Sequence, residues 1–528
     1  MRFPPGVAVM AIAALPLAMA CSDRPLPTEP VTGTGAAGTG GGAAGMGGGG
    51  AGGVDQGTPA GVLGWAIPVG TQAEPAVPGS TAVTAVVGAE DGGAIVAGSY
   101  KGRIRFAPDY MLDSGRRAGF VARYRSDQRF VWERVLFSAD GDVVIADAAL
   151  VGGGEVVVVG WFGGTLIVGQ DDTQFRVTSA GGLDLFAARF AGDGSVRWVH
   201  RAGGPGDDIA RGVAALVSAN GVTTIAVTGA IGERAVFGPG EQRETRTPPA
   251  AGPIFVARLD GDGLLVWVSF AGGGVPAQAY GVALGPTNIS VTGYVNGPAF
   301  FGNDPSGASV TVDPADGRAF VARWNTNGQI AWAQPLAGAQ GEGDAIAAGA
   351  AGEVVVAGLF DGTARFGSAA SAPSLTSDAP GRAGTFLAAL SSDGTTLWAR
   401  LLAGSGVRPW RVRAARGGGF LLAASFGGGV RFDPDGPLPT LLRSSGSTDA
   451  LHAGLAADGA PRWLIAGGGP GDDRGSDIAS AVDGATFALG DFVGPATFGA
   501  GSPFGTGSSA TLDSGTDGGG FLLRVITP

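Results

Sequence analysis

The sequence is poor in the residues that build most catalytic and metal centres. It has one cysteine, Cys21, two histidines, His200 and His452, and one lysine, Lys101. A single cysteine excludes an intramolecular disulfide, and no spaced Cys/His ligand set or His-Glu-x-x-His motif is present. The lysine lacks the Gly-Lys-Ser/Thr context of a phosphate-binding loop. We therefore expect no enzymatic centre and no bound cofactor, and no catalytic residue can be named.

Charge is also scarce, and it is unbalanced. Charged residues make up 15% of the 528, and 45 acidic residues outnumber 34 basic ones, which gives a net charge of −11. This balance argues against nucleic acid or an anionic membrane surface as a partner. Glycine is abundant, at 100 residues. From Leu63 onward, however, apolar residues recur periodically and glycine falls at turns, which predicts an all-β body and not disorder.

What the sequence does have is a long internal repeat, typified by the strand that begins at Phe255. Its equivalents begin, at intervals of 66, 69, 65, 66, 65 and 70 residues, at Phe120, Phe186, Phe320, Phe386, Leu451 and Phe521. Twelve residues after each of the first six strand starts stands a tryptophan: Trp132, Trp198, Trp267, Trp332, Trp398 and Trp463. Seven residues after each stands a turn residue: Asp127, Asp193, Asp262, Asn327, Asp393 and Asp458. Such regularity indicates a repeat architecture.

Each repeat predicts four antiparallel strands. The turn residue, followed by glycine in all copies but the first, joins two strands in a tight hairpin. Two further Val/Ile/Ala-rich strands precede them, as in 210–216 and 224–229. Four-stranded units repeated radially form a β-propeller. The seventh copy, at Phe521, lacks its tryptophan strand, and the strand around Trp65 lacks a partner. We therefore predict seven blades, closed by the N-terminal strand pairing with the C-terminal blade.

The N-terminal region predicts export. Residues 1–20 combine Arg2 with a short apolar run that ends in small residues, as in a signal peptide. Cys21 follows at once, in an arrangement that resembles a bacterial lipobox, although Leu17 stands one position early. We expect lipidation at Cys21 and an outer-membrane or cell-surface location; ordinary signal cleavage beside an incidental thiol is the alternative. Residues 21–61 are rich in Gly and Ala and predict a disordered tether, and residues 62–528 form the propeller.

The predicted topology divides the loops between two faces. With strands A to D running from the axis to the rim, the C–D hairpins lie on one face, and the B–C and D–A connections lie on the other, which we call the long-loop face. Five B–C connections exceed twenty residues, for example 230–253, and we expect an extra hairpin in each. Because loops on a rigid scaffold commonly carry binding residues, any site is predicted on this face.

Two D–A connections share a Gly-Gly-Pro-Gly-Asp-Asp motif, which ends in Asp207-Asp208 and in Asp472-Asp473. Paired carboxylates in glycine-rich turns are candidate Ca²⁺ ligands, and these four are the only metal candidates. The alternative, which recurrence at equivalent places favours, is that these side chains accept hydrogen bonds from their own loop backbones.

Aromatic and histidine residues supply the other candidates. The repeated tryptophans predict packing between blades, with carbohydrate stacking as the alternative. Trp161 and Trp410 break that register and are candidates for exposed contact with a partner. His200, predicted near Asp207 and Asp208, is a further candidate contact or, with those aspartates, an acid/base group.

The motif at 203–208, the strand at 210–216, the Val-Thr-Gly ending at Gly229 and the strand at 255–259 together resemble the SBBP-type bacterial β-propeller repeat. The Asp-Gly…Trp element is also similar to PQQ-like propeller repeats, without the fuller quinone-binding pattern. The resemblance implies an exported propeller of the cell envelope, and no catalytic residue carries over from it.

These observations predict an exported, lipid-anchored β-propeller that binds a protein or glycan partner at the cell envelope without catalysing a reaction. We expect contact with the membrane through the lipid anchor only, and a monomer. One alternative is an envelope polysaccharide lyase or hydrolase that uses carboxylates of the long-loop face. The other alternative is a scaffold for outer-membrane assembly.

Overall fold

The structure is a computed structural model, and in the residues that it describes the regular elements are all β-strands. The described residues are 62–72, 79–107, 110–169, 174–232, 234–238, 244–246, 254–273, 277–302, 310–312, 318–336, 341–367, 372–377, 384–404, 406–432, 440–499 and 509–526. Within these ranges there is no helix long and apolar enough to cross a membrane.

Twenty-eight of the strands form seven four-stranded antiparallel sheets, which are the blades. From blade 1 to blade 7, the innermost A strands are β3 (Gly79–Gly88), β7 (Val143–Val151), β13 (Asp208–Val217), β19 (Ala277–Leu284), β25 (Glu342–Ala348), β31 (Arg408–Ala414) and β37 (Arg474–Ser480). The B strands are β4 (Ala94–Ala107), β8 (Glu155–Phe162), β14 (Thr223–Ile231), β20 (Asn288–Val295), β26 (Val354–Phe360), β32 (Phe420–Phe426) and β38 (Thr486–Phe492). The C strands are β5 (Tyr110–Tyr124), β11 (Asp184–Phe190), β17 (Ile254–Asp260), β23 (Ala319–Asn325), β29 (Gly384–Leu390), β35 (Asp449–Leu455) and β41 (Gly519–Ile526). The outer D strands are β6 (Phe130–Ser138), β12 (Val196–Ala202), β18 (Leu265–Gly272), β24 (Ile330–Leu336), β30 (Thr396–Gly404), β36 (Pro461–Gly468) and β1 (Val62–Val69).

The ring is closed by the two ends of the folded body. Strand β1 pairs antiparallel with β41, and Trp65 lies opposite Arg524. Each A strand contacts the next, and the last contact, between β37 and β3, completes the circle. The prediction of a seven-bladed propeller closed by the N-terminal strand is confirmed. Because closure pairs the edge strand of blade 7, the ring leaves no open end blade.

The long B–C connections carry extra strands, as predicted. These strands are β9 (Thr165–Val168), β10 (Phe175–Thr178), β15 (Ala235–Phe237), β16 (Glu244–Arg246), β21 (Ala299–Phe301), β22 (Val310–Val312), β27 (Thr363–Arg365), β28 (Ser374–Thr376), β33 (Gly429–Phe432), β34 (Thr440–Arg443), β39 (Pro495–Phe498) and β40 (Ala510–Asp513). They form one hairpin in each of blades 2 to 7. Four of these hairpins pair with the D strand of the preceding blade, so they tie neighbouring blades together on the long-loop face. A further short strand, β2 (Thr71–Gln72), lies between β1 and β3 and pairs with β4.

The C–D turns are longer than two-residue hairpins. In blade 2 the backbone bonds run from Ala191 N to Ser195 O and from Gly194 N to Ala191 O. Only the glycine of the Asp-Gly pair has a positive φ, 82° at Gly194. The Asp193 side chain accepts a hydrogen bond from Ser195 N at 2.9 Å, which explains the preference for aspartate at this position.

The repeated tryptophans join each blade to the next. In six cases the indole Nε1 donates to a backbone carbonyl in the C–D turn of the following blade, at 2.8 to 3.1 Å: Trp65, Trp132, Trp198, Trp267, Trp332 and Trp398. The turn glycine packs on the indole, and a Cβ on Gly328 would lie 2.9 Å from Trp267. Trp463 packs with Leu63 and Phe521 of blade 7, whose C and D strands, β41 and β1, pair without a C–D turn between them. The prediction of inter-blade packing is confirmed.

Candidate functional site

Every A strand carries a β-bulge at the same register. One extra residue is inserted in each strand: Thr84, Ala146, Arg211, Tyr280, Asp344, Trp410 and Ser476. A bulge re-aims a side chain and is common beside functional sites. All seven bulged residues line one cavity on the axis of the propeller. The residues differ in every blade, although the backbone feature is the same.

The cavity lies towards the long-loop face, because the bulges occupy the first part of six of the A strands, which start at that face. Its volume is about 80 Å³, taken as the space open to the centre of a water molecule, which is room for several waters. Four of the bulged residues are half-buried and so reach solvent, while Ala146, Arg211 and Asp344 are buried. The structure therefore places a polar, aromatic opening on the face where the sequence predicts a site.

Arginine side chains lie over both aromatic rings of the cavity. The guanidinium carbon of Arg474 lies 4.6 Å from the ring centre of Trp410, and that of Arg408 lies 5.3 Å from it. Arg211 stands 5.7 Å from the ring centre of Tyr280. Such cation–π contacts are attractive and hold the guanidinium in place. Neighbouring blades thus combine their side chains into guanidinium–aromatic pairs.

The two carboxylates of the cavity are bound to other groups of the protein. Asp344 Oδ1 accepts a hydrogen bond from Arg408 Nη2 at 3.3 Å. Asp491 accepts one from Val83 N at 2.7 Å and one from the hydroxyl of Ser476 at 3.2 Å. Burial raises the pKa of Asp491 to about 6, against the lowering effect of Arg474 and these hydrogen bonds. With a pKa of about 6, Asp491 is still mostly ionised at pH 7.

Next to the cavity, two arginines of blade 6 reach across the axis to blade 2. Arg411 Nη1 lies 3.0 Å from Asp147 Oδ2, and Arg413 Nη2 lies 3.3 Å from Asp147 Oδ1 and 2.7 Å from Asp477 Oδ2. Burial alone would lower the pKa of Arg413, but Asp477 and Asp147 raise it above its ordinary value. Asp147 also accepts a hydrogen bond from Val213 N of blade 3 at 3.0 Å. This cluster, which we call the axial ion cluster, joins opposite sides of the ring.

Of the four predicted metal candidates, Asp207, Asp472 and Asp473 lie in D–A turns and Asp208 is the first residue of β13. Asp208 is fully buried and accepts hydrogen bonds from Gly204 N at 2.7 Å and Gly232 N at 2.9 Å. Asp473 likewise accepts hydrogen bonds from two backbone amides, Gly469 N and Val493 N. Asp207 accepts a hydrogen bond from Leu183 N, and Asp472 accepts one from the Thr448 hydroxyl. Among the described residues, no group of three or more His, Cys, Asp or Glu side chains is arranged to hold a metal ion. The geometry matches the alternative of loop-stabilising carboxylates.

Burial perturbs these turn carboxylates strongly. It raises the pKa of Asp208 to about 7, and the neighbouring charges of Asp184 and Asp207 add to the effect while the two backbone hydrogen bonds oppose it. Burial likewise raises the pKa of Asp473 to about 6. Such values can mark functional groups, but ion networks within a fold produce them as well. Both side chains are fully enclosed, so here the shift reports the cost of burying a carboxylate.

The other predicted contact residues have different outcomes. Trp410 lies in the cavity wall, with its Nε1 donating to the Ser425 hydroxyl at 2.8 Å. The prediction of exposed contact at Trp161 is wrong: it is 5% exposed, because its ring fills the gap beside Val144 and Ile209.

His200 does not approach Asp207 and Asp208 by any contact that the described residues show. It stacks on Trp198, with ring centres 5.0 Å apart, and its Nε2 lies 3.0 Å from the backbone oxygen of Asp262. Asp262 belongs to a C–D turn, so His200 is part of the junction between blades 2 and 3. Cys21 and the predicted signal peptide and tether lie outside the described residues.

The sequence did not predict most of the residues that line the cavity, including Arg211, Tyr280, Asp344, Arg474 and Asp491. A bulge inserts a single residue and leaves no composition signal, and the bulged residues share no chemistry. One signal was available. Each bulged position stands two residues before a Val, Ile or Ala of the A strand, so a residue of variable chemistry recurs at the repeat spacing at a fixed offset from an aliphatic one.

No family model and no curated protein matches the chain, so the resemblance to SBBP-type repeats stays a prediction. Among solved structures, the chain is similar to parainfluenza virus 5 hemagglutinin-neuraminidase with the ligand DANA, at 9% identity, with 88% of this chain and 95% of that chain covered and a TM-score of 0.31. It is also similar to a Bacteroides caccae protein of unknown function, at 13% identity, 46% and 80% coverage and a TM-score of 0.24. A third is the extracellular domain of a hybrid two-component system from B. thetaiotaomicron, at 9% identity, 88% and 83% coverage and a TM-score of 0.17. Likenesses this weak carry no functional argument.

Proposed function

We propose that this protein is an exported, lipid-anchored propeller of the cell envelope that binds a protein or glycan partner at its axial cavity without catalysing a reaction. One observation carries the proposal: seven bulges at one register direct seven different side chains to a single opening. The packing of seven similar blades around the axis does not require a different side chain at this position in each blade. Recognition of one specific partner does require a particular set of different side chains, held here on a backbone that is the same in every blade.

The sequence outside the described residues supports the cellular part of the proposal. A signal-like segment at 1–20, Cys21 directly after it and the Gly/Ala-rich stretch to residue 61 together suit an exported protein held by a lipid. The described body begins at Val62, the first residue of β1, which is the outer strand of blade 7.

An enzyme is the second candidate, and one observation favours it. Asp491 lies in the cavity wall with its pKa raised to about 6 by burial, and a carboxyl group that titrates near neutral pH suits general acid–base catalysis. Both oxygens of Asp491 are nevertheless engaged, by Val83 N and by Ser476. Asp344, the other acid of the cavity, is bound to Arg408. The contacts therefore support binding better than catalysis.

The test compares the purified full chain with an Ala82→Trp variant. Ala82 lines the cavity, and its enlargement fills the opening without removing a polar group. We expect the wild type to retain a component of a panel of envelope glycans and envelope proteins, and the variant to lose it. Equal retention by the variant would overturn the assignment to the axis. Conversion of any glycan to product, abolished by Asp491→Asn, would instead establish the enzyme.

A further inference from the structure

A second cavity lies away from the axis, at the junction between blades 2 and 3. Its walls include Leu185, Ala187 and Ala202 of blade 2, and Phe237 and Phe255 of blade 3. Its volume is about 30 Å³, taken as the space open to the centre of a water molecule. A sphere of that size encloses on the order of 150 Å³ once the radius of the water molecule is added, and an apolar cavity of such a volume takes up benzene. The junction therefore has room for one small molecule.

The cavity lies where blade 2 has smaller side chains than the other blades. Ala187 is the second residue of the repeat, and the other six blades have a larger side chain there: Val121, Val256, Val321, Leu387, His452 and Leu522. Ala202 stands four residues after Trp198, where four other blades have a larger side chain: Val69, Leu136, Leu336 and Leu402. Ala187 pairs with His200, and Leu185 pairs with Ala202, so both alanines lie on the same face of blade 2. The two replacements thus remove side-chain volume at one place.

The walls of this cavity offer little to water. Among the described residues that line it, only His200 and Arg201 have polar side chains. His200 Nε2 lies 3.0 Å from the backbone oxygen of Asp262, and Arg201 forms an ion pair with Asp184, which offsets its charge. A buried water needs about two to four polar partners. Because the rest of the wall is apolar, an uncharged apolar ligand suits the space better than water does.

The aromatic rings of the wall favour a ligand that is itself aromatic. Phe237 and Phe255 pack edge to face, with ring centres 5.9 Å apart and ring planes at 61°. The imidazole of His200 adds a third ring to the lining. Aromatic rings prefer edge-to-face or offset contacts with one another, and a ring in the cavity would find such partners in both blades.

The cavity is also accessible. Four of its lining residues are half-buried and mark an opening at the surface: His200, Arg201, Leu259 and Leu265. A small molecule can therefore enter without separating the two blades.

We infer that the junction between blades 2 and 3 holds a binding site for a small, uncharged molecule with one aromatic ring. The ring takes the place of the side-chain volume that blade 2 lacks, and the removal of apolar surface from water drives its binding. This site is separate from the axial cavity, so the inference does not depend on the proposed function.

The experiment is a fluorine NMR titration of the purified full chain with two probes, fluorobenzene and 4-fluorobenzoate. We expect fluorobenzene to bind. We expect 4-fluorobenzoate to bind at least about tenfold more weakly, because its carboxylate loses water when the ring enters an apolar cavity.

Two variants that fill the cavity locate the effect, and a third serves as control. Ala202→Leu introduces the residue of blades 1, 4 and 5, and Ala187→Val introduces the residue of blades 1, 3 and 4. Each is expected to weaken fluorobenzene binding at least about tenfold, because the added methyl groups occupy the space of the ring. Ala331→Leu makes the same change at an exposed position of β24, and it is expected to leave the affinity unchanged. If Ala202→Leu does not fold, Ala187→Val decides.

Three results would overturn the inference: no binding of fluorobenzene to the wild type, tighter binding of 4-fluorobenzoate, or unchanged affinity in the variants that fill the cavity. The first result, combined with a higher unfolding temperature in those variants, would identify the cavity as a packing defect. None of these results bears on the proposed function, because Ala82→Trp tests the axial cavity separately.

Discussion

The rim and the axis of this propeller both repeat once per blade, but they repeat in different ways. At the rim, the same tryptophan makes the same bond to the next blade in six places. At the axis, the same bulge presents a different side chain in every blade. A contact between identical neighbours requires the same residue each time, whereas recognition of one partner requires a unique arrangement. The rim therefore accounts for the architecture, and the axis is the place to look for function.

The axis itself has two layers that should respond differently to mutation. The axial ion cluster is expected to stabilise the fold, and the bulged residues around the cavity are expected to serve binding. Asp147→Ala removes one carboxylate partner of Arg411 and Arg413 and the acceptor of Val213 N. Because Asp477 remains as the only carboxylate contact of both arginines, we expect a loss of about 3 kcal/mol in the free energy of unfolding, measured with urea.

The matched control is Asp113→Ala. Asp113 forms an exposed ion pair with Arg103, with side chains 59% and 38% exposed, and its loss is expected to cost under about 1 kcal/mol. Similar losses in the two variants would contradict a structural layer at the axis.

The pH dependence of stability extends the comparison to the two D–A connections that share the Gly-Gly-Pro-Gly-Asp-Asp motif. The last aspartates of the two motifs, Asp208 and Asp473, are buried. The pKa of Asp208 is raised to about 7 by burial, from an ordinary value of 3.8. A raised carboxyl pKa contributes stability that is fully present below pH 3.8 and is lost as the pH rises through 7. We expect Asp208→Asn to remove about 2–4 kcal/mol of this pH-dependent change, seen as the difference between wild-type and variant unfolding free energies.

Two other groups test the sign of this effect. Asp473→Asn should act in the same direction, over a window that ends near pH 6. Burial lowers the pKa of His452 to about 4, so its contribution is present above pH 6.5 and is lost as the pH falls through 4. An Asp208→Asn variant with the same pH profile as the wild type would show that the pKa of this carboxyl is the same in the folded and unfolded states.

A glycine pair separates backbone strain from packing at the rim. Gly328 has a φ of 89° and packs on Trp267, while Gly221 has a φ of 80° and no atom within 4 Å of the point where a Cβ would lie. We expect Gly221→Ala to cost about 1 kcal/mol from strain alone, and Gly328→Ala to cost about 2–3 kcal/mol, since the methyl group also displaces the indole. Thermal unfolding measures both. Equal costs would mean that the indole contact adds nothing to the junction.

The smallest effect compares a rim tryptophan with the axial one. Trp332→Phe loses the bond to Ser392 O at 3.0 Å, and Trp410→Phe loses the bond to the Ser425 hydroxyl at 2.8 Å. Each should cost about 1 kcal/mol of stability, the usual value of one hydrogen bond. Only Trp410→Phe should also reduce retention of the component that binds the axial cavity, in the assay used for Ala82→Trp. Reduced retention by both variants would remove the distinction between rim and axis.

The residues explain why the fold could be read from the sequence and most of the site could not. The spacing of Phe255, Asp262 and Trp267 recurs because each blade packs against a neighbour with the same structure. The residues of the contact between blades therefore appear in each repeat of the sequence. Trp65 and Phe521 marked the two halves of one blade for the same reason. The cavity has no such redundancy. Trp410 stood out by breaking the register, but so did Trp161, and only the packing around each shows which is exposed.

The sequence by itself determined the blade, the number of blades, the closing strand and the face that carries the long connections, because periodic hydrophobicity and turn chemistry act locally and repeat. Only the tertiary structure decided that Arg211, Tyr280, Asp344, Trp410 and Ser476 meet at one opening. These residues lie 64 to 69 positions apart along the chain, and a bulge of one residue turns each towards the axis. Their proximity follows from closing the ring, which no local pattern encodes.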